Sequence, residues 1–418
     1  MDRNALTKRI LIGMASGFVL GSLLHLLALA EDSVITVYLV DGLFDIGGKI
    51  FIASLKLLVV PLVFVSLVCG ASNLGDGSSM GRLGGKTIVL YLFTTGIAIT
   101  LALVVALLVG PGVGIDLAEQ TSFVARESPS LKQVIIDIFP TNPFKAMTEG
   151  KMLQVIIFAI LVGVALNKAG EQGSRMRAFL LDWNEIIMQL VLMLMKVAPY
   201  GVFCLMLTLF THQGYEVIGD LAKYFFTVVF VLLLHFSGTF SVLLQLLARL
   251  NPFHFYRKMS PVMLYAFSTS SSNATMPVTL ETVEHRLGVK NEIASFTVPL
   301  GATINMDGTA IMQGVATVFI SQAYNIDIGL VGYLTVIGTA TLASIGTAGV
   351  PGVGLITLAM VLEQVGLPVE GIALIIGVDR LLDMLRTAVN VTGDAVVSTL
   401  VGISEGRFDK EIFRSQSE

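Results

Sequence analysis

Long apolar runs broken by short polar connectors fill the first part of the chain, at roughly 10–30, 43–72, 87–112, 152–167, 184–211 and 222–248. A helix needs about 20 mostly apolar residues to cross a hydrocarbon core, so this spacing predicts spanning helices joined by connectors such as 73–86 and 170–185. The first run follows Arg3, Lys8 and Arg9 and reaches Ala30. That is too long for the core of a signal peptide, which predicts an uncleaved first helix. Basic residues fall at alternate helix ends: Arg82 and Lys86, then Lys168, Arg175 and Arg177, then Arg249, Arg257 and Lys258. Positive loops stay cytoplasmic, so both termini are expected there, the last marked by Arg407, Lys410 and Arg414.

The final third has a different texture. Between Lys290 and Arg380 there is no Lys or Arg, yet polar residues cut the apolar runs repeatedly. Residues 266–277 read AFSTSSSNATMP and 343–352 read ASIGTAGVPG, each rich in Ser, Thr or Gly and each holding a proline, Pro277 and Pro351. The flanking arms are too short to span alone, which predicts two helical hairpins that enter the membrane and turn back. A water-exposed loop is the alternative. Irregular backbone at membrane depth is tolerated where protein buries it or it lines a wet cavity. After the first hairpin comes Asn305-Met306-Asp307-Gly308-Thr309, and after the second Asn390-Val391-Thr392-Gly393-Asp394. This echo predicts two hairpin-plus-interrupted-helix units related as an inverted repeat, with a binding site between them.

Composition sharpens the picture. Of 418 residues, 54% are hydrophobic and only 13% charged, against about 25% charged in soluble domains. Bilayer must therefore serve as part of the solvent. The net charge of -4 says little, and no clustered basic face points to nucleic acid. Cys69 and Cys204 sit inside apolar runs and build neither a disulfide framework nor a zinc site. The five histidines, His25, His212, His235, His254 and His285, are scattered without metal-ligand spacing and read as structural.

The candidate chemistry lies on the last helix. Asp379, Asp383, Arg386, Thr387, Asn390 and Asp394 fall within an arc about 100° wide at helical periodicity, with Arg380 just beyond its edge. The stripe runs about 22 Å. A charge at the centre of a spanning helix costs about 2.5–3.5 kcal/mol, so five facing lipid would cost on the order of 10 kcal/mol or more. The stripe must meet partners inside the protein. One reading is an internal salt-bridge network, Asp383 with Arg386 or Arg380 with Asp379. Yet three acids and two bases on the stripe, with Asp307 as a fourth acid, leave at least two carboxylates without a local base. Protons or bound cations must neutralise them. Asn305, Asn390, Thr303, Ser344, Thr347, Tyr91, Thr94 and Thr95 offer neutral oxygens, which hard cations prefer, and this favours sodium. Short serines at the first tip let backbone N–H groups approach a carboxylate.

The stretches SFTVPLGATINMDGTA (295–310), ASIGTAGVPGVG (343–354) and DRLLDMLRTAVNVTGD (379–394) closely resemble the glutamate transporter family, the dicarboxylate/amino acid:cation symporters. The hydropathy layout agrees over nearly the whole chain. The resemblance implies an all-α polytopic fold of eight transmembrane helices plus two re-entrant hairpins, in a homotrimer of the inner (plasma) membrane working by an elevator motion. Residues 1–72 and 113–221 would form the scaffold and trimer contacts, 87–112 and 222–402 the moving transport region, and 403–418 a cytoplasmic tail. The implied activity is sodium-coupled symport of L-aspartate or L-glutamate, with no enzymatic chemistry. Carried over position by position, Asp383 would bind the substrate amino group and Arg386 its side-chain carboxylate. Thr387, Asn390, Thr309 and Ser272 would add hydrogen bonds. The serine tip Ser270 and Ser271, with Val350 and Gly354, would complete the cradle.

For the cations, the resemblance implies Na+ at Asn390, Asp394 and Gly301, at Asp307, Asn305, Tyr91, Thr94 and Thr95, and at Thr303, Ser344, Ile345 and Thr347. Two departures stand out. Members that carry a supporting arginine place it where this chain has Ser270 or Met384, which leaves Arg380 as the candidate for that role. C4-dicarboxylate carriers lack the acid matching Asp383, neutral amino acid carriers lack the arginine matching Arg386, and proton-coupled bacterial members tend to replace Thr347 and Asp394. Retention of all four favours a sodium-coupled acidic amino acid carrier. C4-dicarboxylate or neutral amino acid symport and an anion channel are the rivals.

Overall fold

The computed structural model describes residues 3–27, 33–72, 78–115, 139–213, 217–345, 349 and 351–415. Among them the chain is helical, and the β structure is one isolated bridge between Val289 and Phe408. Helix α1 (Arg3–Leu26) is followed by a π-helical stretch (Ile35–Phe44) that runs into α2 (Asp45–Ser72). Then come α3 (Ser78–Val109), the short α4 (Pro143–Thr148), α5 (Met152–Lys168) and the long α6 (Glu171–Gln213). Helix α7 (Val217–Leu234) continues through a π-helical segment (His235–Thr239) into α8 (Phe240–Leu246). Among the described residues two helices, Arg82–Val109 and Leu221–Leu246, are long and apolar enough to cross a membrane, and Glu171–Val191 with Lys196–His212 qualifies jointly across a 44° bend.

Two helix pairs follow. The first is α9 (Pro252–Thr269) and α10 (Ser272–Glu281), the second α13 (Gly329–Ser344) and α14 (Val353–Gln364). Between them lie α11 (Asn291–Ile304) and α12 (Asp307–Ala323), and α15 (Ile372–Ser404) and the short α16 (Lys410–Arg414) close the chain. Asn251 starts α9 by accepting from Phe253 N at 2.9 Å, with Pro252 in the first turn where its missing N–H costs nothing. The turn into α10 is tighter than the Ser/Thr-rich stretch suggests. Ser270 alone takes the left-handed conformation (φ 49°), Ser271 caps α10, and Pro277 lies inside the helix.

The last helix corrects one expectation. Only the first echo is an interrupted helix: α11 ends at Ile304, Asn305 and Met306 are non-helical, and α12 restarts at Asp307. The second echo, Asn390 to Asp394, lies in the unbroken α15. Gly393 serves there as a point of close approach, since a Cβ on it would stand 2.5 Å from Asn305 Nδ2. A glycine inside a helix is therefore not a break when a neighbouring segment needs its space.

Helix α15 is the hub of the fold and packs against α7, α9, α10, α11, α12, α3 and α6. Helices α1, α2, α5 and α6 form a second group in which α6 contacts both α1 and α2. At the far end of α15, Glu405 accepts from Arg82 at 2.9 Å and also pairs with Lys86. Those cations hold its carboxyl below the ordinary glutamate value. The segment after it turns back on the first helix–turn–helix pair. Lys258 donates to Arg286 O at 2.7 Å and Ile412 O at 2.8 Å, tying α16 down.

Candidate functional site

The stripe on α15 folds inward as its cost in lipid demands. Arg386 is wholly buried and is the largest fully buried side chain. Its guanidinium donates from Nη1 to Asp379 at 2.7 Å and from Nη2 to Asp383 at 2.8 Å, while Nε has no partner among the described residues. Arg380 Nη1 reaches the other oxygen of Asp383 at 3.4 Å. The acids and arginines thus form a chain, Asp379–Arg386–Asp383–Arg380. Of the two salt-bridge pairings the sequence offers, Asp383 with Arg386 is present, while Asp379 is taken by Arg386 as well. A step of seven residues brings Asp379 under Arg386 on the helix face, whereas adjacent residues point about 100° apart.

Of the remaining expected substrate residues, Thr387 and Gly354 adjoin this chain. Thr387 donates to Asp383 O at 2.8 Å, and Asn390 accepts from Gly308 N at 2.8 Å while its amide reaches Met306 Sδ at 3.4 Å. Thr309 is buried at the start of α12, 4.0 Å from Met306 Sδ. Gly354 leaves room for the guanidinium, since a Cβ there would lie 3.3 Å from Arg386 Nη2. At the first tip, Ser270, Ser271 and Ser272 are all buried. Among the described residues the Ser270 hydroxyl has no partner, but Ser271 accepts from Ala274 N at 3.2 Å and donates to Gly349 O at 2.7 Å. Ser271 is thereby committed to capping α10 and joining the two tips. Val350 and Thr347 lie outside the described residues. A cleft adjoins the site, with Asp379, Arg380 and Asp383 on one wall and Ile10, Phe51 and Val202 of α1, α2 and α6 on the other.

Two oxygen-rich clusters lie deeper. In the first, Asn305 donates through Nδ2 to Asn390 O and to Asp394 Oδ1, each at 2.9 Å, and its own Oδ1 is buried without a partner among the described residues. Gly301 closes this cluster: a Cβ on it would stand 2.5 Å from both Asp394 Oδ1 and the Tyr91 hydroxyl. Tyr91, expected with the Asp307 group, donates to Thr297 O at 2.9 Å and borders this cluster at Gly301. In the second cluster, Asp307 Oδ1 accepts from Thr95 at 2.6 Å and Thr94 at 3.3 Å. Asp307 and both threonines are buried. Helix α12 begins at this carboxylate, and a helix N-terminus favours a negative charge. The third expected group is looser. Thr303 and Ser344 bond back to Leu300 O and Thr341 O of their own helices, and Ile345 is the C-terminal cap of α13.

One partner was absent from the sequence reading. His235, wholly buried, places Nε2 3.0 Å from Asp307 Oδ2. An ionised carboxylate only accepts, so this nitrogen donates. His235 is 72 residues from Asp307 in sequence, and a lone histidine carries no spacing signal. The clue was its place in an apolar run, where an ionisable group needs a partner.

Comparison with known proteins now decides the class. The family model described as the sodium:dicarboxylate symporter family matches residues 6–403. The chain belongs to that family. This symporter is 34% identical to the proton/glutamate-aspartate symporter of Escherichia coli (strain K12), with 97% of the chain and 94% of the relative covered. It is 32% identical to the proton/sodium-glutamate symport protein of Geobacillus stearothermophilus, over 98% and 97%. A C4-dicarboxylate transport protein of Rhodospirillum rubrum is 35% identical over 87% of the chain and 83% of that relative. The symporter is accordingly a membrane transporter and not an enzyme.

Proposed function

We propose that this symporter carries L-aspartate or L-glutamate inward together with sodium ions. The observation that carries the reading is the buried pairing of Arg386 with Asp383. A cation that takes a carboxylate and an anion that takes an ammonium stand one helical turn apart, matching the two charged ends of an acidic amino acid. As the substrate enters, its side-chain carboxylate takes the Arg386 fork in place of Asp383, and the freed Asp383 takes the ammonium group. Thr309, Thr387, Asn390, Ser272 and the backbone at Ser270, Val350 and Gly354 complete the cradle, with Arg380 supporting Asp383. Glutamate and aspartate in the names of two relatives support the same class.

Sodium would bind at Asp394, Asn390, Asn305 and Gly301, with Tyr91 closing the cage, and at Asp307, Thr94 and Thr95. A third ion would sit at Thr303, Ser344, Ile345 and Thr347. Buried acids carry charge that cations neutralise, and the buried carbonyl oxygen of Asn305 supplies a ligand without a competing donor. Coupling then follows from charge compensation, which linkage makes reciprocal. Eight transmembrane helices, two re-entrant hairpins and an elevator motion within a homotrimer form the architectural part of the proposal. In it 1–72 and 113–221 are scaffold, 87–112 and 222–402 move, and both termini with the 403–418 tail face the cytoplasm.

Uptake of radiolabelled L-aspartate into proteoliposomes tests this directly: a sodium gradient drives accumulation, and choline in place of sodium abolishes it. Unchanged uptake in choline removes sodium from the mechanism. The C4-dicarboxylate reading has the Rhodospirillum rubrum relative in its favour, and competition by succinate stronger than by glutamate would select it. A second expected result concerns Gly301→Ala. Overpacking a buried site costs about 1–3 kcal/mol, so the sodium needed for half-maximal uptake should rise about tenfold or more. An unchanged sodium titration would remove Gly301 from the cage.

A further inference from the structure

Asp307 is gripped from two sides. Thr94 and Thr95 of α3 bond Oδ1, and His235 bonds Oδ2 at 3.0 Å from the opposite helix. The histidine stands at the start of the π-helical segment His235–Thr239, where an extra residue per turn re-aims side chains. Its ring packs edge-on against Phe240 with centroids 4.6 Å apart, and Nδ1 has no partner among the described residues. Nothing in the substrate or cation cradle described above uses this imidazole. A histidine satisfied for packing alone would place both nitrogens; this one spends its single hydrogen bond on one carboxylate oxygen.

From this we infer that His235 is a positioning residue for the cation site at Asp307, an inference that rests on the sodium reading above. The imidazole N–H anchors Oδ2 and fixes the carboxylate plane, which leaves Oδ1 toward the Thr94 and Thr95 hydroxyls. When sodium arrives, those hydroxyls rotate to present lone pairs, and Oδ1 is already aimed. Without the histidine the carboxylate turns about its own bond, and binding must also fix that rotation. Outer partners of this kind typically set metal affinity by about 10–100-fold.

The test is a sodium titration on purified full-length protein, read twice: as the sodium-driven rise in melting temperature, which reports affinity through binding to the folded state, and as uptake in proteoliposomes. His235→Phe keeps a ring against Phe240 and removes the donor; His235→Leu repeats the measurement should the phenyl ring not fit. Either is expected to raise the half-saturating sodium concentration about 10–100-fold while maximal uptake at saturating sodium stays within about twofold. His235→Gln, which keeps an N–H near the position of Nε2, is expected to return the sodium requirement to within about threefold of wild type. Half-saturation unchanged in the Phe and Leu variants overturns the inference, as does a Gln variant no better than they are. Wild-type melting and uptake indifferent to sodium would overturn the sodium reading and this inference with it.

Discussion

Arg386→Cys is expected to lose nearly all uptake of aspartate and glutamate at concentrations that saturate the wild type, because the half-saturating substrate concentration rises by about a thousandfold. The guanidinium is wholly buried and holds two carboxylates at 2.7 and 2.8 Å. In the proposed cycle one of those bonds passes to the substrate. Removing one partner of a buried, hydrogen-bonded charge pair costs about 3–5 kcal/mol, which at about 1.4 kcal/mol per decade is a loss of roughly two to four decades. Part of this loss falls on the folded protein, because Asp379 and Asp383 would face each other with only Arg380 nearby. Substrate-induced thermal shifts should therefore be read beside the elution profile of the purified protein. Cysteine leaves a small, nearly apolar void, so serine or alanine becomes the better-fitting cargo. Aspartate affinity retained in a folded Arg386→Cys protein would end the role given to this residue.

The stripe was readable in advance because a charge in a spanning helix has few places to go. Periodicity alone puts Asp383, Arg386, Asn390 and Asp394 on one face, and the cost of charge in lipid turns that face inward. What periodicity does not report is reach. The sequence offers Asp383 with Arg386 or Arg380 with Asp379 as pairs; the first is present, but Arg386 also reaches back seven residues to Asp379, and Arg380 contacts Asp383. The turn at Ser270 is similar. Serine and proline density marked a break, but the segment confines it to Ser270 and Ser271 and carries Pro277 as a helical residue. His235 lay beyond reach for another reason. Its contact with Asp307 depends on how α7 and its π-helical extension pack against α12, which no local pattern encodes. The echo of Asn-x-x-Gly behaved differently at its two sites because Asn305 must enter the helix backbone at Gly393 to reach Asp394 and Asn390.

Asp394→Asn is the second large expected effect, and it separates charge from shape. The side chain is 1% exposed and receives an N–H from Asn305 at 2.9 Å, with the Tyr91 hydroxyl and the Gly301 backbone closing over it. An asparagine fits the same space and can still accept that hydrogen bond, so the helix contacts survive. The unit charge does not. Opposite charges about 4 Å apart at an effective dielectric of about 20 attract by roughly 4 kcal/mol, about three decades of cation affinity. The variant should remain folded, show little sodium-induced thermal shift below molar salt, and take up aspartate poorly at any sodium concentration that supports wild type. Because substrate and cation affinities are reciprocally linked, apparent aspartate affinity at a fixed sodium level should fall as well, although residue 394 does not touch the proposed substrate position. A folded Asp394→Asn protein with the wild-type sodium titration would mean that this carboxylate is balanced from within the protein, and the coupling argument would then have to rest on Asp307 alone.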